Sequence, residues 1–262
     1  MLEKNSLKES LCGIAELIWF DEIDSTNTEA KRMARAASVG DREPKLLVAR
    51  AQSGGRGRLG REFLSRRDSG VYFSLLYYTD KPLGDVVSIT TAAAVAVAEA
   101  IERVSGIDAK IKWVNDIYNE SGKVSGILVE TLPVSEGYVA VIVGVGINVG
   151  EVDFPEALRG IASTVGDIGG KENLLVSDIA KRLLAFASDP CDRSYMAEYR
   201  RRFMLTGETV NILRDGEIAC VGRVEGVDDD GGLLLIPLGE SEAIAVRSGE
   251  VSVRRIKEKS EE

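Results

Sequence analysis

The sequence of 262 residues contains no histidine. Ser-His-Asp triads, Cys-His pairs and histidine-ligated zinc sites all require an imidazole, so these classes of site are excluded. Any catalysis must therefore use carboxylates, lysines, arginines and backbone groups.

Cysteine is also scarce, with Cys12, Cys191 and Cys220 far apart in the chain. This spacing gives neither a disulfide framework nor a C-x-x-C metal site, so we expect reduced thiols. The chain opens without a basic-then-apolar leader and contains no run of about 18 apolar residues. We therefore expect a cytoplasmic protein that has no membrane span.

Positive charge is in the minority, with 33 basic against 42 acidic residues and a net charge of −9. Nonspecific nucleic-acid binding depends on lysine and arginine neutralising phosphates, so we expect no DNA partner. Residues 52–61 differ from this background, because they contain four glycines and three arginines. We call this segment the glycine-arginine loop. Glycine allows close backbone approach and arginine offers forked donors, so the loop is predicted to bind an anion.

Two common phosphate-binding motifs do not account for this loop. It lacks the Gly-Lys-Ser/Thr that ends a P-loop. Residues 55–60 fit G-x-G-x-x-G, but residues 61–70 are too charged and broken to form the helix that a dinucleotide site requires.

Hydrophobic patterning predicts an α+β fold. Asp24 or Ser25 is expected to cap a helix over residues 28–37. Part of a short helix is considered within residues 7–17. The other predicted helices are residues 85–104, 177–187 and 194–203, and the predicted strands are residues 46–51, 70–78, 109–113, 126–132 and 138–149.

The last of these strands is apolar on both faces, which is typical of a buried central strand. A competing hypothesis places residues 139–149 at a sheet edge, where they would pair across a two-fold axis in a homodimer.

From residue 207 the pattern changes to short β-prone runs separated by Asp-Gly turns. These runs are residues 209–213, 218–225, 233–237 and 243–246. The pattern indicates a small β-barrel, and we predict domains at residues 1–205 and 206–262. The charged tail, residues 257–262, is expected to be disordered.

Four further motifs accompany the glycine-arginine loop, and their order along the chain is more specific than any one of them. Upstream of the glycine-arginine loop lie residues 24–27, and downstream lie residues 112–118, 123–130 and 143–149. This set strongly resembles the biotin protein ligases. The resemblance covers most of residues 19–149 and extends more weakly through the C-terminal β-rich stretch. It implies a catalytic domain with a mixed sheet flanked by helices, the class II synthetase-like biotin/lipoate ligase fold, followed by an SH3-like barrel.

The resemblance also implies a two-step reaction. Biotin and ATP, with Mg²⁺ carried by the phosphates, give biotinyl-5′-AMP and pyrophosphate. A lysine of a biotin carboxyl carrier protein then takes the biotinyl group and releases AMP. Because both steps bring anions together, the enzyme is expected to supply fixed positive charge.

The family pattern assigns roles residue by residue. The expected biotin-binding residues are Ser25, Thr26, Asn27, Gln52, Arg56, Gly57, Arg58, Lys123 and Gly126. The expected nucleotide-binding residues are Arg61, Phe63, Lys112, Trp113, Asn115 and Asn148. The expected catalytic residues are Arg58, Lys123 and Asp116, the last as general base.

Several of these residues have a structural alternative. Residues 25–27 also suit helix capping, Asp116 suits a turn cap, and Trp113 suits either a pocket wall or the core. The chain departs from the family pattern at Phe63, usually tryptophan, at Val114, usually proline, and at Ser53-Gly54, usually Thr-Ala. We expect altered affinity from these changes, chiefly in stacking on adenine by Phe63, and not lost chemistry.

Two other functions are considered. A lipoate–protein ligase shares the catalytic fold, but the glycine-arginine loop and residues 112–116 favour biotin. A binding module without catalysis would not need Arg58, Lys123 and Asn148. Only eighteen residues precede Trp19, too few for a helix-turn-helix, so we expect a monofunctional ligase.

Overall fold

The computed structural model describes residues 2–38, 40–80, 86–214, 216–247 and 251–255. Within these residues, seven strands form one mixed sheet in the order β1-β2-β3-β7-β6-β5-β4. The strands are β1 Glu16–Phe20, β2 Lys45–Ala49, β3 Gly70–Thr79, β4 Lys110–Lys112, β5 Asp116–Asn119, β6 Gly122–Pro133 and β7 Val139–Asn148. The pair β1/β2 is parallel and the other neighbours are antiparallel. The predicted mixed sheet is confirmed.

Strand β7 lies inside this sheet, hydrogen-bonded to β3 on one side and to β6 on the other. Its side chains are buried on both faces, as at Ile142 and Val143, each with 0% exposure. The central-strand prediction is therefore confirmed. The alternative, in which residues 139–149 form a sheet edge that pairs across a dimer axis, is wrong because both backbone edges of β7 are already paired.

Helices cover both faces of the sheet. The helices of the described residues are α1 Lys4–Ser10, α2 Thr26–Ala36, α3 Val86–Ser105, α4 Glu172–Ser188 and α5 Met196–Arg202. Side chains alternate across strands, so neighbouring residues serve opposite faces. Leu75 and Val143 belong to the core with α3 and α4, whereas Leu76 and Ile142 pack with α2. No helix in the described part of the chain is both long and apolar enough to cross a membrane.

Several element boundaries differ from the sequence prediction. Ser25 caps α2 as expected, since its side chain accepts a 3.4 Å hydrogen bond from the Thr28 amide. Helix α4 begins at Glu172 and not at residue 177. The short helix considered within residues 7–17 is observed as α1, which starts earlier, at Lys4, and ends at Ser10. The predicted start of α3 at residue 85 lies outside the described residues.

A second sheet follows, formed by β8 Thr209–Arg214, β9 Glu217–Val227, β10 Leu233–Pro237, β11 Ile244–Val246 and β12 Val251–Arg255. Its order is β11-β10-β9-β8-β12, and every neighbouring pair is antiparallel. This small unit is the expected SH3-like one. The boundary at residues 205/206 stays a prediction, and the tail at residues 257–262 lies outside the described residues.

The two sheets are joined through the turn between β9 and β10. The indole Nε1–H of Trp113, which is buried, donates a 2.8 Å hydrogen bond to the Gly231 carbonyl. Arg200 on α5 donates to the Val227 carbonyl at 3.0 Å. The second sheet is thus hydrogen-bonded to the connection between β4 and β5, which contains Trp113.

A buried arginine fixes α5 against the first sheet. Arg202 is 1% exposed. Its Nε donates to Glu198 at 2.7 Å, its Nη1 donates to the Ala109 carbonyl at 3.0 Å, and it also pairs with Glu102 on α3. Hydrogen bonds from Arg201 and Arg202 lower the pKa of Glu198 to about 2. This cluster links α3, α5 and the start of β4.

We expect Arg202→Ala to lower the free energy of unfolding by about 3 kcal/mol, because it removes a fully buried side chain, its hydrogen bond to the buried Ala109 carbonyl and its pairing with two partly exposed carboxylates. Urea denaturation at pH 7 measures the loss. The control is Arg201→Ala, which removes an exposed arginine from the same Glu198 and should cost far less. Equal losses in the two variants would contradict the role of burial.

The same cluster predicts a pH dependence. The folded pKa of Glu198 lies below its ordinary value of 4.5, so its pairing stabilises the fold above that value. This contribution is lost as the pH falls from about 4.5 through about 2. Denaturation of parent and Glu198→Gln across this range should show the stability difference shrinking with acid. A constant difference would be the contrary result.

Candidate active site

Three glycines open a cleft on the α2 face of the sheet. Gly126 on β6 and Gly146 on β7 are paired opposite each other, and Gly144 lies two residues along β7. A Cβ atom on Gly144 would overlap the Asn27 side chain, and one on Gly146 would come within 2.5 Å of the Phe63 ring. We call these three residues the floor glycines. The cleft above them, beyond the N-terminus of α2, has a volume of about 650 Å³.

The end of the cleft beside α2 is polar and hydrogen-bonded. The Gln52 amide oxygen accepts from the Thr26 backbone N–H at 2.8 Å, and the Gln52 Nε2 donates to the Ser65 hydroxyl at 2.8 Å. The Ser74 hydroxyl lies 2.7 Å from the Thr26 hydroxyl and 2.6 Å from the Asn27 Oδ1. Helix capping and cleft lining therefore coexist at residues 25–27.

The other end of the cleft carries the positive charge. Lys123 on β6 pairs with Asp116 on β5 at 2.7 Å between Nζ and Oδ1. Arg58 donates to the Asn115 side-chain oxygen at 3.3 Å. Burial lowers the pKa of Arg58, while the charge of Asp116 opposes that shift. Arginine remains charged at neutral pH, so this end presents two cations to an incoming anion.

The glycine-arginine loop folds back on itself over the cleft. Gly57 N–H donates to the Arg61 carbonyl at 2.7 Å, and Phe63 N–H donates to the Gly55 carbonyl at 2.9 Å. A Cβ atom on Gly55 would collide with the Phe63 carbonyl oxygen, so this position requires glycine. A single 3₁₀ turn, Arg58–Gly60, is the helical part of the loop, and no helix follows directly, as expected.

Phe63 lies on the floor of the cleft. Its ring stands over Gly146 and beside Gly126, and it meets Tyr72 edge-to-face with 6.4 Å between ring centroids. Stacking on adenine stays a prediction for this residue.

The cleft contains every residue that the sequence predicted for it. Trp113 fills both of its alternatives, since it lines the cleft and packs in the core at 5% exposure. Asn148 is held by a 2.9 Å hydrogen bond from its Nδ2 to the Ser163 carbonyl. The predicted residues that line the cleft are Ser25, Thr26, Asn27, Gln52, Arg56, Gly57, Arg58, Arg61, Phe63, Lys112, Trp113, Asn115, Asp116, Lys123, Gly126 and Asn148.

One wall of the cleft was not predicted. Phe154, Leu158, Ile161 and Ala162, from the connection after β7, line the opening. This segment pairs with β6, because Lys123 N–H donates to the Ile161 carbonyl at 2.9 Å and Ser163 N–H donates to the Lys123 carbonyl at 2.8 Å. Spaced apolar residues in an otherwise polar connection were the available signal.

Other participants were also missed. Ser74 and Glu130 contact Asn27, and the floor glycines Gly144 and Gly146 had been given no role of their own. The signal for the glycines was their alternation with large apolar residues in β7. Among the described residues, no group of three or more acidic or cysteine side chains is placed to hold a metal ion.

Comparison with known proteins agrees with this geometry. The model of the biotin/lipoate A/B protein ligase family matches residues 19–148, and that of the biotin protein ligase C-terminal domain matches residues 206–254. The bifunctional ligase/repressor BirA of Bacillus subtilis is 34% identical over 87% of this chain and 71% of its own length. The chain belongs to the biotin protein ligase family.

Other relatives of the ligase support the same conclusion. The biotin–[acetyl-CoA-carboxylase] ligase of Mycobacterium tuberculosis is 28% identical over 95% of each chain. A solved biotin protein ligase from Aquifex aeolicus, a single-residue variant in complex with biotin, is 33% identical and has a TM-score of 0.75 over 92% of this chain and 99% of its own. The same enzyme in complex with biotin and ATP is 32% identical, with a TM-score of 0.73 over the same shares.

Gly144→Ala tests the floor of the ligase cleft through the stability of the fold. Overpacking against Asn27 should lower the free energy of unfolding by about 1–3 kcal/mol. In the Asn27→Ala background the obstructing side chain is gone, so the same substitution should be nearly neutral. A double-mutant cycle measured by urea denaturation gives this coupling. Equal effects of Gly144→Ala in both backgrounds would show that Asn27 does not occupy the floor.

Proposed function

We propose that this ligase attaches biotin to a specific lysine of a biotin carboxyl carrier protein through biotinyl-5′-AMP. The observation that carries the proposal is the layout of the cleft. One glycine floor joins an uncharged hydrogen-bonding end, at Thr26 and Asn27, to a cationic end, at Arg58 and Lys123. Biotin has the same layout, since a neutral cyclic urea lies at one end and a carboxylate lies at the other.

The first step needs compensation of negative charge. The biotin carboxylate oxygen attacks the α-phosphorus of ATP, the bond to the bridging oxygen breaks, and pyrophosphate leaves. Lys123 Nζ is held by Asp116 at 2.7 Å, and Arg58 is held by a neutral amide at 3.3 Å. Both cations therefore have fixed positions before substrates bind, which supports their assignment to the carboxylate and the α-phosphate, because fixed charges need no reorganisation during the reaction.

The nucleotide is assigned to the same cationic end. Arg61, Lys112 and Asn148 line the cleft there with Asn115 and Trp113. Mg²⁺ keeps most of its contacts with substrate phosphates, and the side-chain oxygens of Asn115 and Asn148, which line the cleft, would supply the protein donors. When bound, Mg²⁺ would neutralise phosphate charge.

The second step transfers the biotinyl group to the carrier. The lysine amine of the carrier attacks the mixed anhydride, the bond from the carbonyl carbon to the phosphate oxygen breaks, and AMP leaves. Asp116 is assigned as the base that accepts the amine proton, because no histidine is present and its carboxylate lines the cleft beside Lys123. The wall formed by Phe154, Leu158 and Ile161 would shield the anhydride from water.

The partners of the proposed enzyme are biotin, ATP and the carrier protein. The net charge of −9 supports the absence of a DNA partner. A homodimer remains a hypothesis, and any dimer must use a surface other than β7, whose two edges are paired.

Pyrophosphate exchange into ATP, measured separately with biotin and with lipoate, tests the proposed function. Biotin-dependent exchange, followed by labelling of a carrier protein, is the expected result. Exchange with lipoate alone would replace the proposal by lipoate ligation. Exchange with neither acid would leave a binding protein without ligase activity.

Arg58→Ala should slow adenylate formation by a factor on the order of 10²–10³, because developing phosphate charge loses a half-buried cationic donor. Biotin-dependent pyrophosphate exchange measures the rate. The matched control is Arg66→Ala, in the same segment, whose guanidinium bonds the Asp153 carbonyl on the exposed surface. Near-parental exchange and adenylate retention in Arg58→Ala would contradict the assignment.

Lys123→Gln should slow adenylate synthesis more than it slows transfer from separately supplied biotinyl-AMP. The reason is that the amine offsets repulsion between the biotin carboxylate and the phosphates, which exists in the first step alone. Lys123→Arg should recover the rate partly, since a planar fork does not reproduce a compact ammonium. Unchanged synthesis in Lys123→Gln would return this residue to a structural role in its ion pair with Asp116.

A further inference from the structure

We propose that Ser74 and Glu130 are positioning residues that fix Asn27 as a hydrogen-bond acceptor for a ring N–H of the ligand. This inference rests on the proposed function, because it assigns the neutral end of the cleft to the cyclic urea of biotin. It extends that function by explaining how the site distinguishes a cyclic urea from a ring that lacks N–H groups.

The orientation of the Asn27 amide follows from its neighbours. Its Nδ2 lies 3.1 Å from the Glu130 Oε2 and 3.3 Å from the Leu128 carbonyl oxygen. A carboxylate and a carbonyl are acceptors only, so the NH₂ group must face them. Both amide hydrogens are thereby used inside the protein. Asn27 can meet a ligand only through Oδ1.

The direction of the Ser74 hydroxyl follows in turn. Ser74 is fully buried and lies opposite Gly144 in the sheet. The Asn27 Oδ1 at 2.6 Å accepts only, so Ser74 donates its single hydrogen there. The Thr26 hydroxyl at 2.7 Å must then donate to Ser74. The Gln52 Oε1 lies farther from that hydroxyl, at 3.1 Å, and it already accepts from the Thr26 backbone N–H.

Hydrogen bonds therefore run in one direction, from Thr26 through Ser74 and Asn27 to Glu130. Neither Thr26 nor Asn27 has a side-chain hydrogen left for a ligand, whereas both keep acceptor capacity. A cyclic urea offers N–H donors to such acceptors. The dithiolane ring of lipoate offers none, and its burial would leave these polar atoms unpaired, which is where strong discrimination arises.

Glu130 also pairs with two cations, although the Thr26 and Asn27 side chains that line this end are themselves neutral. Lys31 on α2 pairs with its Oε1 at 2.6 Å, and Arg56 of the glycine-arginine loop stands 3.9 Å from the same oxygen. The carboxylate thus links β6, α2 and the loop. Glu130 needs no contact with the ligand to act, since it acts through the Asn27 amide.

The experiment compares Glu130→Met, which has no oxygen, with Glu130→Gln, whose amide oxygen can still accept from Asn27. Calorimetric titration with biotin should give a dissociation constant raised about tenfold in Glu130→Met, the size expected for one lost hydrogen bond to a charged group. Glu130→Gln should recover most of that loss. The KM for ATP should change by less than about twofold in both, because the nucleotide is assigned to the other end.

Selectivity between biotin and a methylated biotin separates positioning of Asn27 from a purely structural role, because a structural role would leave that selectivity unchanged. Biotin methylated on its ring nitrogen lacks the donor, so the parent should prefer biotin strongly. The ratio of the two dissociation constants should fall about fivefold or more in Glu130→Met and in Ser74→Ala, since a freed amide no longer discriminates. The matched control is Glu29→Met on α2, because Glu29 has a similar exposure to Glu130 but pairs with Arg32, and its ratio should equal that of the parent.

Contrary outcomes are distinguishable. If Glu130→Met and Ser74→Ala are both folded and keep the parental affinity and ratio, the positioning role is overturned while the proposed function stands. If the parent neither binds biotin nor supports biotin-dependent exchange, the proposed function fails and this inference fails with it. Ser74→Ala removes one buried hydroxyl, so the test does not depend on Glu130→Met remaining folded.

Discussion

The absence of side chains at three positions of the central strands determines the whole site. Gly126, Gly144 and Gly146 bring the cleft down to the backbone of β6 and β7, and the side chains above them take the space that Cβ atoms would have filled. Asn27 and Phe63 can occupy their positions because Gly144 and Gly146 have no Cβ atoms there. Backbone in a fully paired sheet moves little, so the groups arranged on it have a rigid reference.

Electrostatics follow from the same layout. The chain is acidic overall, with a net charge of −9, yet Arg58 and Lys123 face a common cleft. Each has a modest internal partner, an amide for Arg58 and a single carboxylate for Lys123. A lysine offers three N–H donors and an arginine offers five, so one partner does not exhaust either group. Preorganised charge of this kind is a large contribution to catalysis in many enzymes.

The sequence predicts those parts of the arrangement that depend on patterns of neighbouring residues. The cap at Ser25 and the buried strand β7 depend on local spacing, and both are observed. The set of site residues came from the resemblance of the ordered motifs to a ligase family, and these residues line one cleft. What was missed depends on pairing between distant segments. Strand β5 is only four residues long, too short for a periodic pattern. The apolar spacing in residues 154–162 does not reveal that backbone bonds to Lys123 hold this wall at the cleft.

The network at Asn27 was missed for a different reason. Ser74 looks like an ordinary strand residue and Glu130 looks like a solvated charge until the register places Ser74 opposite Gly144 and the fold brings Glu130 beneath α2. The hydrogen bond from Trp113 to Gly231 also joins residues that are far apart in the sequence. Through this bond the stability of the second sheet is coupled to that of the first. A ligand bound against Trp113 would hold the indole in place, so by mass action it would also stabilise the β9–β10 turn. The resistance of the C-terminal sheet to unfolding would then rise when the cleft is filled.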